Sequence, residues 1–452
     1  MRILGAVCAV LAVGVVLAGC GGSGMRSGVP DAYVPNYVTP TPAPVGAIPT
    51  GVITHVIIIV QENRTTDNMF NGFPGADTVT SGPAKRHGTI TLQPILLEAP
   101  GDLDHSPLGF GIDYDNGQND GWLEEGWSSL LPADAPYGYV PPSEVQPDWT
   151  IAQDYVFADR MFQTNQGPSW PAHLFLISGT SAPSSGSTLL ASENPVIPGS
   201  PDEVGGCDSP PGSIVELMNQ NGVNSTTQFP CFDHQTLMDL LDAHGLTWRY
   251  YEPQIGGYWD GPDAISHLRN SPTDWANVVV PETTILSDIQ NGDLANVSWV
   301  IPNGANSDHA GALSNSGPSW VASIINTVGA SPYWSSTAVF VTWDDWGGWY
   351  DHVVPLLYGP NELSYRVPLI VASPWAKHGY VSHVQHEFGS ILHFVEQDFG
   401  LGTLGYTDAR ADDLSDCFDF SQTPSAFRAI PAPLPARYFI TSHIPFSPPD
   451  DE

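Results

Sequence analysis

Residues 342–352 read TWDDWGGWYDH, and this stretch decides the fold class. The apolar run AVFV at 338–341 leads into it and is typical of a buried strand in a parallel sheet. The run ends at Asp344 and Asp345, after which Gly347 and Gly348 permit a sharp turn. Ligands bind beyond the carboxyl ends of strands in open α/β sheets, so the two acids indicate a site. A solvated acidic loop is the alternative.

Two other predicted strands end in the same way. The run HVIIIV at 55–60 is followed by Glu62 and Asn63, and WVIP at 299–302 is followed by Asp308 and His309. These strands alternate with helical patterns at about 236–244, 318–329 and 386–399, which predicts an α/β fold with a mostly parallel sheet. We therefore expect the polar groups to converge at one edge of that sheet.

A candidate nucleophile lies in NQGPSWPAHLFLI at 165–177. Pro171 suits the first turn of a helix, which places Ser169 at or just before its N-terminus. The helix dipole and free N–H groups there favour an anion over a neutral hydroxyl. The alternative is that Ser169 only caps the helix.

These groups together predict a metal-dependent reaction at phosphorus. Carboxylates and an amide oxygen suit a hard divalent cation, and a serine oxygen can complete its ligand set. A cation touching that serine would favour the alkoxide, and nearby histidines can protonate a leaving group. Oxygen ligands favour Mg, Ca or Mn, whereas nearby histidines would suit Zn or Fe, so the sequence leaves the metal open.

Composition excludes one class of partner. The 452 residues include 13 Lys+Arg and 48 Asp+Glu, giving a formal net charge of −35. Such a surface would repel the phosphate backbone, so we expect no nucleic-acid binding.

The N-terminus predicts export. Arg2 precedes an apolar stretch at 3–18, and LAGC follows at 17–20, as in a signal peptide. The ending is similar to the lipobox of bacterial lipoproteins, which implies cleavage before Cys20, a lipid on that residue and a periplasmic or cell-surface membrane anchor. Ordinary secretion is the alternative. Cys207 and Cys231 could pair in an oxidising compartment, and Cys417 is expected to be a buried small hydrophobe.

Four spaced motifs resemble one known family. HVIIIVQENRTTDNMF, NQGPSWPAHLFLISGTS, TWDDWGGWYDHVVP and the region from YRVPLIVASPWAKHGYVSH to QHEFGSILHFVEQDFGL occur in its order. They resemble the motifs of bacterial phosphoesterases that include phospholipases C and AcpA-type acid phosphatases. The resemblance implies an alkaline-phosphatase-like three-layer α/β/α sandwich, a phospholipid or small phosphomonoester substrate and a phosphoserine intermediate.

The resemblance also implies roles for particular residues. The implied metal ligands are Glu62, Asn63, Ser169, Asp344 and Asp345. The implied catalytic residues are Ser169, His105, His309 and His352. Two positions depart from the family pattern: Asn is frequent after the Pro of the nucleophile motif, where this chain has Ala172-His173, and Glu is frequent where it has Asp345.

We divide the chain into a signal peptide (1–19), a lipidated tether (20–50), a phosphoesterase domain (51–420) and a Pro-rich tail (421–452). The sequence has features of two other functions. A glycosidase would use paired carboxylates, but these normally come from separate segments rather than from adjacent residues such as Asp344 and Asp345. A non-catalytic surface-binding lipoprotein of the same fold would more naturally have lost Ser169 or the metal-binding acids.

Overall fold

The computed structural model describes residues 37–41, 46–196, 198 and 205–442. The predicted signal peptide, Cys20 and the last ten residues of the predicted tail lie outside the described residues. Within the described part, no helix is both long enough and apolar enough to cross a membrane.

Eight of the seventeen described strands form one large sheet, and all of the strands are short. They are β1 (His55–Gln61), β2 (Ser81–Ala84), β3 (Gly88–Thr91), β4 (Gln93–Pro94), β5 (Gly138–Tyr139), β6 (Val156–Ala158), β7 (Met161–Phe162), β8 (Leu190–Ala191), β9 (Val215–Met218), β10 (Asn224–Gln228), β11 (Trp248–Tyr251), β12 (Val278–Val279), β13 (Val297–Val300), β14 (Thr337–Trp343), β15 (Leu369–Ala372), β16 (Tyr380–Ser382) and β17 (His386–Glu387).

The described α-helices connect these strands and flank the large sheet. They are α1 (Thr66–Met69), α2 (Pro107–Tyr114), α3 (Gln146–Asp154), α4 (Ser169–Ser178), α5 (Leu237–Ala243), α6 (Ser266–Asn270), α7 (Pro272–Trp275), α8 (Thr284–Asn291), α9 (Gly317–Gly329), α10 (Phe388–Phe399) and α11 (Ala436–Thr441).

The large sheet has eight strands in the order β12-β11-β13-β1-β14-β15-β6-β16. Strand β15 is antiparallel to both neighbours, and every other pairing is parallel. One group of helices, α3, α8, α9 and α11, packs together, and α4 packs with α5 and α10 in a second group. The predicted α/β class with a mostly parallel sheet between helical layers is confirmed.

The centre of the sheet is fully buried, which explains its sequence. Strands β1 and β14 pair in parallel over their whole length, from His55 opposite Thr337 to Gln61 opposite Trp343. All seven residues of β14 are buried, as are the last six of β1. A strand covered on both faces needs a continuous apolar run rather than an alternating one. The register makes both strands end at the same level, one residue before Glu62 and Asp344.

Two peripheral features complete the domain. Cys207 and Cys231, whose pairing the sequence left open, form a disulfide. Cys417 is buried with a free thiol, as expected. The described part of the tail packs on α9, where Asn326 exchanges two hydrogen bonds with the backbone of Ile430. The ring of Phe439 lies 5.3 Å from that of Trp320.

Candidate active site

The site begins where β1 and β14 end, and backbone contacts hold the two strand ends together. The N–H of Asn63 donates to Oδ1 of Asp344 over 3.1 Å, and the N–H of Arg64 donates to the carbonyl of Asp345 over 3.0 Å. Gly347, with φ +60°, lets the chain turn away from β14; a Cβ there would lie 2.3 Å from the carbonyl oxygen of Asn63. Glycine is therefore required where the two loops touch.

Ser169 is brought to this edge by α4. It is the first residue of the helix, following the N-cap residue Pro168, and it is fully buried. Its Oγ lies 3.4 Å from Oε2 of Glu62 and 3.3 Å from Oδ2 of Asp345. The hydroxyl thus faces two carboxylates rather than capping its own helix. The amide of Trp170 is already used, because it donates to Oδ1 of Asn194 over 3.0 Å. The helix dipole can still favour an anion at Ser169, but the N–H of Trp170 is not free to bind one.

His105 approaches from the loop before α2. Its Nδ1 lies 2.8 Å from the carbonyl of Leu103, so Nδ1 carries the proton and donates. Its Nε2 then accepts from Nδ2 of Asn63 over 2.9 Å and lies 3.9 Å from Oδ2 of Asp345. The imidazole is wholly buried and held in one orientation against the predicted ligands.

His309 lies beside His105, with ring centroids 6.3 Å apart. Its Nδ1 lies 2.5 Å from the carbonyl of Ala310, while Nε2 lies 3.8 Å from Oδ2 of Asp102. One ligating atom from each of Asp102, His105 and His309 falls within 4.8 Å of the others. The structure therefore brings His105 and His309 together, as expected for residues of one site.

Asp308 precedes His309 in the chain and accepts hydrogen bonds from two residues at and just beyond the end of β1. Oδ2 accepts from Nε2 of Gln61 over 3.2 Å, and its carbonyl accepts from Nε of Arg64 over 2.8 Å. Burial raises the pKa of Asp308 to about 6, an effect that the nearby Arg64 partly opposes. Its φ of +73° is unusual for a residue other than glycine and turns the chain toward His309.

His352 is placed elsewhere. Its Nδ1 lies 2.6 Å from Oδ2 of Asp67 and its Nε2 lies 3.2 Å from Oδ1 of Asp77. The neighbouring Asp351 forms a buried ion pair with Arg366, with Nε 2.9 Å from Oδ1. Among the described residues, the hydrogen bonds of His352 join this ionic cluster and not Ser169, so its predicted catalytic role gains no geometric support.

From the sequence, no functional role was assigned to His173. Its Nε2 lies 3.3 Å from Oε1 of Glu62 and 3.9 Å from Oδ2 of Asp344. Burial lowers the pKa of His173 to about 4, with partial opposition from Asp344. The signal was present in the spacing, because residues four apart share one face of a helix and His173 follows Ser169 by four.

Comparison with known proteins decides the family. The model of the Phosphoesterase family matches residues 53–402, which include every residue of the site described above. This chain belongs to the Phosphoesterase family. The resemblance read from the motifs is confirmed.

The chain is also similar to several curated phospholipases C. It is 24% identical over 439 residues to the hemolytic phospholipase C of Pseudomonas aeruginosa, covering 81% of this chain and 56% of that protein. It is 24% identical over 472 residues to the non-hemolytic phospholipase C of Burkholderia pseudomallei, covering 88% and 64%. It is 21% identical over 451 residues to phospholipase C B of Mycobacterium tuberculosis, covering 82% and 79%. The chain thus spans less than two thirds of the length of the first two relatives.

Among solved structures, the chain is similar to a protein of the alkaline phosphatase superfamily from Vibrio parahaemolyticus. The TM-score is 0.38 at 12% identity, covering 81% of this chain and 70% of the other.

Proposed function

We propose that this chain is a metal-dependent phosphoester hydrolase in which Ser169 is the nucleophile. The observation that carries the proposal is the position of the serine Oγ, buried at the start of α4 and within 3.4 Å of carboxylate oxygens from both Glu62 and Asp345. Membership of the Phosphoesterase family and the similarity to phospholipases C support the reaction class.

The polar atoms at the strand ends fit a divalent cation. Oδ2 of Asp344 and Oδ1 of Asn63 are buried and make no hydrogen bond with the described residues. Buried acceptors without donors are costly, and a cation among them would remove that cost. The residues that would hold it are Glu62, Asn63, Ser169, Asp344 and Asp345. When bound, a divalent cation would favour the serine alkoxide and offset charge that develops on phosphate oxygens.

The side chains of the site supply the remaining steps. The Ser169 hydroxyl can pass its proton to a neighbouring carboxylate as Oγ attacks phosphorus and the bond from phosphorus to the leaving oxygen breaks. The His309 ring, whose Nδ1 donates to the carbonyl of Ala310, can give a proton from Nε2 to that oxygen, and Oδ2 of Asp102 lies 3.8 Å from Nε2. Water then hydrolyses the phosphoserine and restores Ser169.

Two classes of substrate fit this reaction. The names of the relatives favour a phosphodiester such as a phospholipid, and a small phosphomonoester is the second candidate. The two substrates differ in the leaving group and in whether the phosphate carries a second ester, and both are compatible with attack by Ser169.

We also propose that the protein is exported and anchored by a lipid on Cys20. The disulfide between Cys207 and Cys231 supports an oxidising compartment, since structural disulfides are rare in the bacterial cytosol. Metabolic labelling with a radioactive fatty acid should mark the wild type and leave Cys20→Ala unlabelled. Labelling of both, or of neither, would contradict the anchor.

The chemical proposal is tested with the chain that begins after Cys20. Release of p-nitrophenol is followed from the phosphomonoester and from the phosphorylcholine diester, with chelator and then with Ca, Mg, Mn, Zn or Fe restored. We expect metal-dependent turnover of at least one substrate, and a phosphorylated Ser169 in acid-quenched samples analysed by mass spectrometry.

Ser169→Ala should abolish both signals, whereas Ser225→Ala, on exposed strand β10, should retain them. Turnover that survives in Ser169→Ala would contradict the nucleophile. A folded, metal-loaded wild type that binds the diester without hydrolysing it would instead favour the non-catalytic lipoprotein.

A further inference from the structure

His173 lies one helical turn beyond Ser169 and faces the same strand ends. The side chain is 1% exposed, and its Nε2 lies 3.3 Å from Oε1 of Glu62 and 3.9 Å from Oδ2 of Asp344. One ligating atom from each of these three residues lies within 4.8 Å of the other two. Helix α4 therefore presents a nitrogen as well as an oxygen to the proposed cation.

The hydrogen bonds of Tyr250 determine which ring nitrogen of His173 carries a proton. The Tyr250 hydroxyl donates its only hydrogen to the carbonyl of Trp259 over 2.6 Å and accepts from the N–H of Gly261 over 3.3 Å. Toward Nδ1 of His173, at 3.4 Å, it can therefore only accept. Nδ1 is therefore protonated, and in the neutral ring Nε2 is left with a lone pair.

That lone pair points toward acceptors instead of donors. Nε2 of His173 and Oδ2 of Asp344 are both buried and form no hydrogen bond with the described residues. A neutral imidazole beside two carboxylates has no proton to share from Nε2, so the three atoms repel unless a positive ion lies among them. The ring is also oriented through its other nitrogen by Tyr250, as is usual for a ligating histidine.

We propose that Nε2 of His173 is a ligand of the divalent cation held by Glu62 and Asp344, which makes this an imidazole-containing site. The inference rests on the metal of the proposed function and extends it to the class of metal. Imidazole suits Zn, Fe and other transition metals, whereas Ca and Mg prefer oxygen ligands alone. We therefore expect the chain to select a transition-metal dication over Mg²⁺ or Ca²⁺.

The test is pulsed EPR of the chain loaded with Mn²⁺, which detects nitrogen bound to the metal through modulation of the electron spin echo. We expect nitrogen modulation in the wild type that changes when histidine is labelled with ¹⁵N, and a marked loss of it in His173→Gln with Mn²⁺ still bound. His234→Gln is the matched control, since His234 is another buried histidine, held by Ser178. It should retain the wild-type signal.

Metal selectivity gives a second readout. His173→Gln should weaken Zn²⁺ binding by about 10–100-fold and change Mg²⁺ binding much less, because the amide oxygen replaces only the nitrogen donor. Calorimetric titration measures both affinities. His173→Asn is the second variant should the first fail to fold, and circular dichroism checks both.

Three outcomes would overturn the inference: metal-bound wild type without nitrogen modulation, modulation unchanged in a folded His173 variant, or equal losses of Zn²⁺ and Mg²⁺ affinity. The first of these needs no variant. Nitrogen coordination by His173 in a protein that hydrolyses no phosphoester would support this inference and contradict the proposed function. Turnover that depends on metal without nitrogen coordination would do the reverse.

Discussion

Oγ of Ser169 lies 3.3 Å from Oδ2 of Asp345, and both side chains are fully buried. The serine comes from the start of α4 and the acid from the turn just after β14, so the contact joins a helix to the central part of the sheet. Asp345 is held in turn by the N–H of Gly347, which donates to its other oxygen over 2.8 Å. The carboxylate is thus fixed before any substrate binds.

Replacing this carboxylate tests the site. We expect Asp345→Asn to lower kcat/KM by at least about 100-fold, since the change removes a charged ligand and one acceptor for the Ser169 proton. Steady-state hydrolysis and metal content measured on the same samples check this. Asp134→Asn, at a partly exposed position, is the control and should behave as wild type. Near-normal turnover in a folded Asp345→Asn protein would contradict the assignment.

The turn after β14 gives a prediction about backbone geometry. Gly347→Ala would place a Cβ 2.3 Å from the carbonyl of Asn63, whereas Gly88→Ala, also at positive φ, would meet no atom within 4 Å. In both variants, backbone strain should lower the free energy of unfolding by about 1–2 kcal/mol, measured by urea unfolding. Only Gly347→Ala should show a larger loss than this, and only Gly347→Ala should weaken metal binding in calorimetric titration. Equal effects of the two substitutions would show that the close approach has no consequence.

Much of this site could be predicted from the sequence because it follows strand ends. Continuous apolar runs identified β1 and β14, and the first polar residues beyond them, Glu62 and Asp344, lie together because the strands pair in register. The register itself was not predictable, and neither was the antiparallel direction of β15, since a short apolar run reads the same in both directions.

Other parts depend on contacts between residues distant in the chain. His352 lies beside the acidic motif in sequence, but its contacts are with Asp67 and Arg366. No local sequence pattern predicts these two contacts. His173 shows the opposite case. Its spacing from Ser169 indicated a shared helix face, and what the sequence did not show was that this face meets Glu62.

His352 provides a test of stability against catalysis. Burial alone would lower its pKa, but the hydrogen bond and charge of Asp67 outweigh burial and raise it. We expect His352→Gln to destabilise the fold by about 1–3 kcal/mol, because Asp67 is left buried with a poorer partner. The kcat of the folded fraction should stay within about threefold of wild type, a change of less than about 1 kcal/mol in the barrier. Loss of kcat at full stability would restore the catalytic role predicted from the motif.

The ion pairs of His267 predict a pH dependence of stability. Its Nδ1 lies 2.6 Å from Oδ1 of Asp233, and its Nε2 lies 3.0 Å from Oδ1 of Asp239. The hydrogen bond to Asp239 raises the pKa of His267 to about 9; burial opposes this effect and Asp233 adds to it. Because the folded pKa exceeds the unfolded value of about 6.5, the stabilisation is complete near pH 6 and is lost as pH rises from about 6.5 to 9. The difference in urea midpoint between wild type and His267→Gln should therefore be largest near pH 6, shrink through this range and vanish above it. Addition of 1 M NaCl should reduce the difference, since these side chains are partly exposed. A difference that stays constant from pH 6 to pH 10 would contradict the raised pKa.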